Sequence, residues 1–165
     1  MTAYRVALVC LGNICRSPTA DVVLNARLVE AGLAHRITAE SCGTGDWHVG
    51  EPMDPRTARV LVAAGYDASR HRARTFSPSW FDHDLILTMD ASNHREVLRL
   101  LPEDRHDRVR LFRSFDPQVA PGAPVPDVPD PWYGGPQGFE EVLEIVERTC
   151  DGLVSWLRSV PTGPD

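Results

Sequence analysis

Two residues near the start of the chain could do chemistry together. Cys10 and Arg16 stand six positions apart in Cys10-Leu-Gly-Asn-Ile-Cys-Arg16. A thiolate is a strong nucleophile, and a guanidinium grips phosphate through two parallel N–H donors. Between them, Gly12 and Asn13 carry turn chemistry, so the backbone N–H groups of the loop can face one point as an anion nest. A helix N-terminus after the loop would add partial positive charge and favour the thiolate beneath a bound phosphoryl group. The competing reading is a buried Cys ending a core strand beside a surface Arg at a helix start. In a chain with 4 Cys and 17 Arg, chance supplies such a pair often, so its meaning depends on the elements that place it.

Those elements are legible. Tyr4–Cys10 is a short apolar run with β-branched residues, which predicts a buried strand. Ser17-Pro18 reads as a helix start, with Ser17 at the N-cap and Pro18 at the first helical position, and the helix runs to about Glu30. Ile37–Ser41 reads as a second strand, followed by a Gly-rich loop to Gly50. Asp54-Pro55 opens a helix that stops at Gly65. A third strand is expected over 84–89, a helix over 92–101, a fourth strand over 109–112 and a last helix from about Phe139 to about Leu157. Strands alternating with helices predict an α/β fold with a parallel sheet covered on both faces, with ligands at the carboxyl ends of the strands. The Pro-rich stretch 116–138 is long for a structureless connection, which favours a functional loop. The expected organisation is a single domain over 1–158 with a short tail, 159–165.

The whole chain narrows the chemistry. At 165 residues and 42% hydrophobic content it can bury a core without staples. Its net charge of -6 argues against nucleic acid as a partner, so any anion must be held by a local site. Every basic residue is Arg, a bias that reads as genome composition rather than function. The cysteines, Cys10, Cys15, Cys42 and Cys150, are scattered without Cys-x-x-Cys spacing, and the 6 His form no His-x-x-x-His pair, so neither a disulfide framework nor a metal site is expected. No apolar run is long enough to span a bilayer, and the N-terminus lacks a signal-peptide layout. A cytoplasmic location and no membrane insertion are expected.

Cys10–Ala20 (CLGNICRSPTA) resembles the phosphate loop of the low-molecular-weight protein tyrosine phosphatases. Four further segments resemble that family in its own order: 41–50 (SCGTGDWHVG), 71–74 (HRAR), 89–93 (MDASN) and 128–134 (VPDPWYG). The resemblance implies a three-layer flavodoxin-like fold with a four-stranded parallel sheet. It implies a hydrolase for phosphotyrosine in a protein or peptide, acting through a phosphocysteine, with no metal or cofactor. A monomer is expected, with weak self-association as the alternative. Leu11, Gly12, Asn13, Ile14, Cys15 and Arg16 would bind phosphate, with Cys10, Arg16 and Asp130 catalytic. Asp130 stands directly before Pro131 and an aromatic, as the family's acid does; Asp127 is its nearest competitor. Asn13, Ser17, Ser41 and His71 would support the loop, although His71 also suits a plain surface position. Trp47, Trp132 and Tyr133 would wall an aromatic slot, or serve local packing.

The chain departs from the family in Trp132, where Tyr is usual, in Cys42 beside Ser41, and in the variable position His48. The resemblance further implies that Cys10 and Cys15 can form a reversible disulfide; Cys15 also suits a small buried side chain filling the rear of the loop, and the two readings are compatible. Three rivals stand beside a tyrosine phosphatase. A thioredoxin-linked arsenate reductase would need further cysteines between Ser69 and Asp104, where there are none. A phosphoarginine phosphatase would favour Thr at the position of Ile14. A non-catalytic phosphopeptide-binding module would need neither Cys10 nor Asp130.

Overall fold

The protein is described by a computed structural model covering residues 3–162, with the Tyr133 side chain outside the described set. The strands β1 (Tyr4–Cys10), β2 (Ile37–Gly43), β3 (Leu85–Thr88) and β4 (Val109–Leu111) form one sheet in the order β2-β1-β3-β4. Every pairing is parallel. The helices are α1 (Arg16–Glu30), α2 (Pro55–Ala63), α3 (Ala91–Leu100) and α4 (Gln137–Leu157). This is the flavodoxin-like arrangement expected from the sequence, with element ends displaced by a residue or two.

The central strand explains where Cys10 points. Val6, Ala7, Leu8 and Val9 are all completely buried. Val6, Leu8 and Cys10 share a core with Val23 and Leu24 of α1 and Val146 and Leu153 of α4. Ala7 and Val9 pack instead with Ile86, Val97 and Val109 on the other face of the sheet. This alternation is the two-residue period of a strand, and it turns the last side chain of β1 toward α1. Truncating Leu8 to Ala in such a core costs about 2–5 kcal/mol.

Strand order also places the site. The chain passes from β1 to β2 on one side and then returns to lay β3 on the other side of β1. The connections after β1 and β3 therefore diverge, leaving a crevice at their carboxyl ends.

The Pro-rich segment is tied down. Asp116, 2% exposed, receives Arg148 of α4 at 2.8 and 3.0 Å and Arg113 at 3.1 and 3.2 Å. Burial opposes ionisation of Asp116, but hydrogen bonds from Arg148, the Gln118 N–H and Arg113 outweigh it and hold the carboxyl at about 2. Farther on, the Val128 N–H donates to the Met89 carbonyl at 2.7 Å and Arg113 Nη1 to the Asp127 carbonyl at 3.0 Å. These anchors deliver the next residues, including Asp130, to the end of β3. After α4, Val160 packs into the core and Arg36 Nη1 donates to Thr162 Oγ1 at 3.2 Å. Gly163–Asp165 of the expected tail lie outside the described residues.

Candidate active site

The Cys10–Arg16 loop turns on Asn13, whose φ of 58° lies in the left-handed region that Asn tolerates better than most residues. Asn13 is completely buried and held from several sides. Its N–H points at Cys10 Sγ at 3.2 Å, and its Nδ2 donates to Ser17 Oγ at 2.8 Å and Ser41 Oγ at 3.1 Å. Its Oδ1 accepts the Arg74 N–H at 2.9 Å, and its carbonyl accepts His71 Nε2–H at 2.6 Å. Ser41 in turn donates to Asp21 Oδ2 at 2.9 Å. Burial lowers the His71 pKa, which keeps the ring neutral with its proton on Nε2. Burial also raises the Asp21 pKa, against the bond from Ser41. Gly43 is required by proximity: a Cβ there would lie 2.6 Å from the Leu11 carbonyl oxygen.

Ser17 does not cap α1, contrary to the sequence expectation. The helix begins at Arg16, Cys15 occupies the cap position, and no side chain caps it. The Ser17 hydroxyl is completely buried and sits 3.0 Å from Cys10 Sγ. The helix thus starts two residues closer to the sulfur than a Ser17 cap would allow, and its first N–H groups stay available to an anion.

Arg16 is 4% exposed. Its Nη1 donates to Asp90 Oδ2 at 2.7 Å and to the Val128 carbonyl at 3.1 Å, and its Nη2 lies 3.6 Å from Asp130 Oδ2. Sequence reasoning gave Asp90 no role. Its Oδ1 accepts the Asn93 N–H at 2.7 Å, so the same carboxylate caps α3 and steers Arg16. The available signal was an N-cap pattern, Asp90-Ala-Ser-Asn93, directly after the third strand.

Cys10, Leu11, Gly12, Ile14, Cys15, Arg16, Trp47, His48, Asp130 and Trp132 line one cavity of about 280 Å³. The sequence placed these residues in three separate segments. Asp130 caps a short 3-10 turn by accepting the Trp132 N–H at 3.1 Å, which fixes its carboxyl at the cavity wall. Asp127 is directed elsewhere, accepting the Ala91 N–H at 3.0 Å. Trp132 is half-exposed, with the Arg56 guanidinium 5.3 Å from its ring. His48 joins the wall, its Nδ1 2.7 Å from Glu51 Oε2. Tyr133 cannot be placed among these walls, since its side chain lies outside the described residues. Cys15 is buried behind the loop, and burial pushes its thiol up to about 12. Cys42 packs on the opposite face of the sheet from Cys10, in the cluster of Ala7 and Val9. A wider hollow of about 820 Å³ lies behind the loop between α1 and residues 65–74.

A sulfur at the carboxyl end of a parallel strand, under a helix N-terminus and beside a buried guanidinium, is the setting of a cysteine-dependent phosphate-monoester hydrolase. The family profile described as "Low molecular weight phosphotyrosine protein phosphatase" matches residues 5–160. A low molecular weight protein-tyrosine-phosphatase of Streptomyces coelicolor is 51% identical over 162 residues, 97% of each chain. Low molecular weight protein-tyrosine phosphatase A of Mycobacterium tuberculosis is 42% identical over 161 residues, 96% of each chain. The crystal structure of a protein tyrosine phosphatase from Entamoeba histolytica, with Hepes in its active site, superposes with a TM-score of 0.88 at 32% identity, covering 94% of this chain and 97% of that one. The chain belongs to the low-molecular-weight protein tyrosine phosphatase family.

Proposed function

We propose that Cys10 is the nucleophile, Asp130 the general acid and then base, and Arg16 with the loop N–H groups the phosphate cradle. The observation that carries this reading is the convergence of Cys10, Arg16 and Asp130 on one cavity, with Arg16 Nη2 3.6 Å from Asp130 Oδ2. In the first step the Cys10 sulfur attacks phosphorus, an S–P bond forms, and the P–O bond to the tyrosyl ring breaks as the Asp130 carboxyl gives its proton to the departing oxygen. In the second, Asp130 takes a proton from water, whose oxygen attacks phosphorus as the S–P bond breaks. Both Arg16 Nη1 contacts are spent on Asp90 and Val128, so its Nε–Nη2 edge is the fork presented to two phosphate oxygens. That charge and the loop amides stabilise the equatorial oxygens in the transition state.

Asn13, Ser17, Ser41 and His71 support the loop through the bonds described above. Ile14, Trp47 and Trp132 give the slot apolar walls that suit an aromatic ring, favouring phosphotyrosine over phosphoarginine. The substrates are phosphoproteins or phosphopeptides. The catalytic domain is residues 1–158; of the tail, 159–165, Val160 is packed into the core. Among the described residues no helix is long and apolar enough to cross a membrane. A thiol nucleophile must stay reduced, which fits action in the cytoplasm.

The test is turnover of p-nitrophenyl phosphate and phenyl phosphate by wild type, Cys10→Ser and Asp130→Asn. Cys10→Ser should abolish turnover. Asp130→Asn should slow phenyl phosphate by about 10²–10⁴-fold and p-nitrophenyl phosphate less, because nitrophenolate leaves more readily without a proton. A metal chelator should leave the rates unchanged. An inactive wild type, or activity that survives Cys10→Ser, would sink the assignment.

A further inference from the structure

Beside the slot lies a second groove of about 420 Å³, and Leu11 and Trp47 line both. Its far wall is α3, where Ser92, Arg95, Glu96 and Arg99 recur at i, i+3, i+4 and i+7 and so present one helix face. Asp90 caps this helix and also holds Arg16, so the groove and the slot are built on the same joint. Trp47 is 68% exposed and Leu11 42% exposed, leaving apolar surface between the two hollows. The Trp47 ring lies against Gly45 so closely that a Cβ at Gly45 would collide with it. Trp47 thereby stands between the two hollows.

Charge distinguishes this flank from the others. Across the slot, Arg56 is already bound to Asp54 at 2.9 and 3.1 Å, and His48 to Glu51. Within the groove, Arg99 takes both carboxylate oxygens of Glu96 at 2.6 and 3.0 Å. Arg95 is exposed and, among the described residues, has no carboxylate partner. On a chain of net charge -6, it is an unmatched positive charge adjoining the slot.

We infer that this groove receives the substrate chain flanking the phosphotyrosine, with Trp47 and Leu11 under its backbone and Arg95 engaging an acidic side chain. This rests on the phosphatase reading above and adds a sequence preference to it.

The experiment compares kcat/KM of wild type, Arg95→Gln and Arg95→Glu on three substrates. These are p-nitrophenyl phosphate, a phosphotyrosine peptide with Glu on both flanks, and the same peptide with Gln in place of Glu. Wild type should prefer the Glu peptide, and the preference should shrink with added salt. Arg95→Glu should lower the Glu:Gln ratio about tenfold, mainly through KM, with Arg95→Gln intermediate and p-nitrophenyl phosphate within about twofold of wild type. An unchanged Glu:Gln ratio, including an equal loss on all three substrates, would overturn the inference and leave the phosphatase standing. A wild type inert toward p-nitrophenyl phosphate would overturn the phosphatase reading itself.

Discussion

Asp90 binds Arg16 with one carboxylate oxygen and starts α3 with the other. The 2.7 Å contact to Arg16 Nη1 and the 2.7 Å contact from the Asn93 N–H join the loop after β1 to the helix after β3. The two jobs separate by substitution. Asn caps helices about as well as Asp but cannot neutralise a guanidinium. Asp90→Asn should melt close to wild type yet lose about 10–100-fold in kcat, because Arg16 is no longer held toward the cavity. Asp90→Ala should lose the same activity and about 1 kcal/mol of stability as well. Steady-state kinetics and thermal melts check both, and a wild-type kcat in Asp90→Asn would show that Arg16 needs no such guide.

Asn13 combines a left-handed backbone with two hydrogen bonds donated and one accepted by its side-chain amide. Asn13→Ala keeps the unfavourable φ without those bonds and leaves the buried Ser17 and Ser41 hydroxyls short of a partner. It should cost about 2–4 kcal/mol in urea unfolding and reduce kcat more than KM. A loss confined to KM would mean that the loop keeps its shape by other contacts.

Thiol chemistry should single out one cysteine. Burial pushes Cys15 up to about 12 and raises Cys42 and Cys150 as well, so these three remain protonated thiols at neutral pH. Brief iodoacetate treatment of the folded enzyme should give a single adduct, mapping by mass spectrometry to Cys10 and prevented by inorganic phosphate. Adducts on Cys15 or Cys42 at the same rate would contradict the packing described.

Acid should act through Asp116. Its carboxyl is held at about 2 in the fold, below its ordinary 3.8. Between those values the unfolded chain binds more protons, so stability rises with pH there. The stabilisation, about 2 kcal/mol, is complete above the ordinary value and is lost as pH falls through it toward about 2. Asp116→Asn should be less stable at pH 7 by at least that amount and should show a flatter loss of stability between pH 4 and pH 2. Parallel stability curves for the two proteins would remove Asp116 from the account.

What the sequence revealed depended on whether the information was local. The apolar run ending at Cys10, the turn residues of the loop and the Asp54-Pro55 start of α2 act over a few positions, and each element formed where its own residues dictated. Ser17 misled for a related reason: a Ser before Pro suits a helix cap, but here the hydroxyl found a better use against Cys10. Asp90 went unread as the cap of α3, and its pairing with Arg16 was out of reach because it depends on the order of β1 and β3 in the sheet. Likewise, nothing near Asp116 announces Arg148, yet that contact ties down the segment that carries Asp130.

The Arg16–Asp90 link spans 74 positions and the Arg16–Val128 link 112. A newly made chain therefore carries Cys10 and Arg16 from its first moments without the hollow between them. The hollow closes only after β3 has docked on β1 and the segment near Val128 has returned to the end of β3. The cavity is in this sense a late product of assembly: until the second half of the chain arrives, the sulfur near its beginning lacks the walls that the later segments supply.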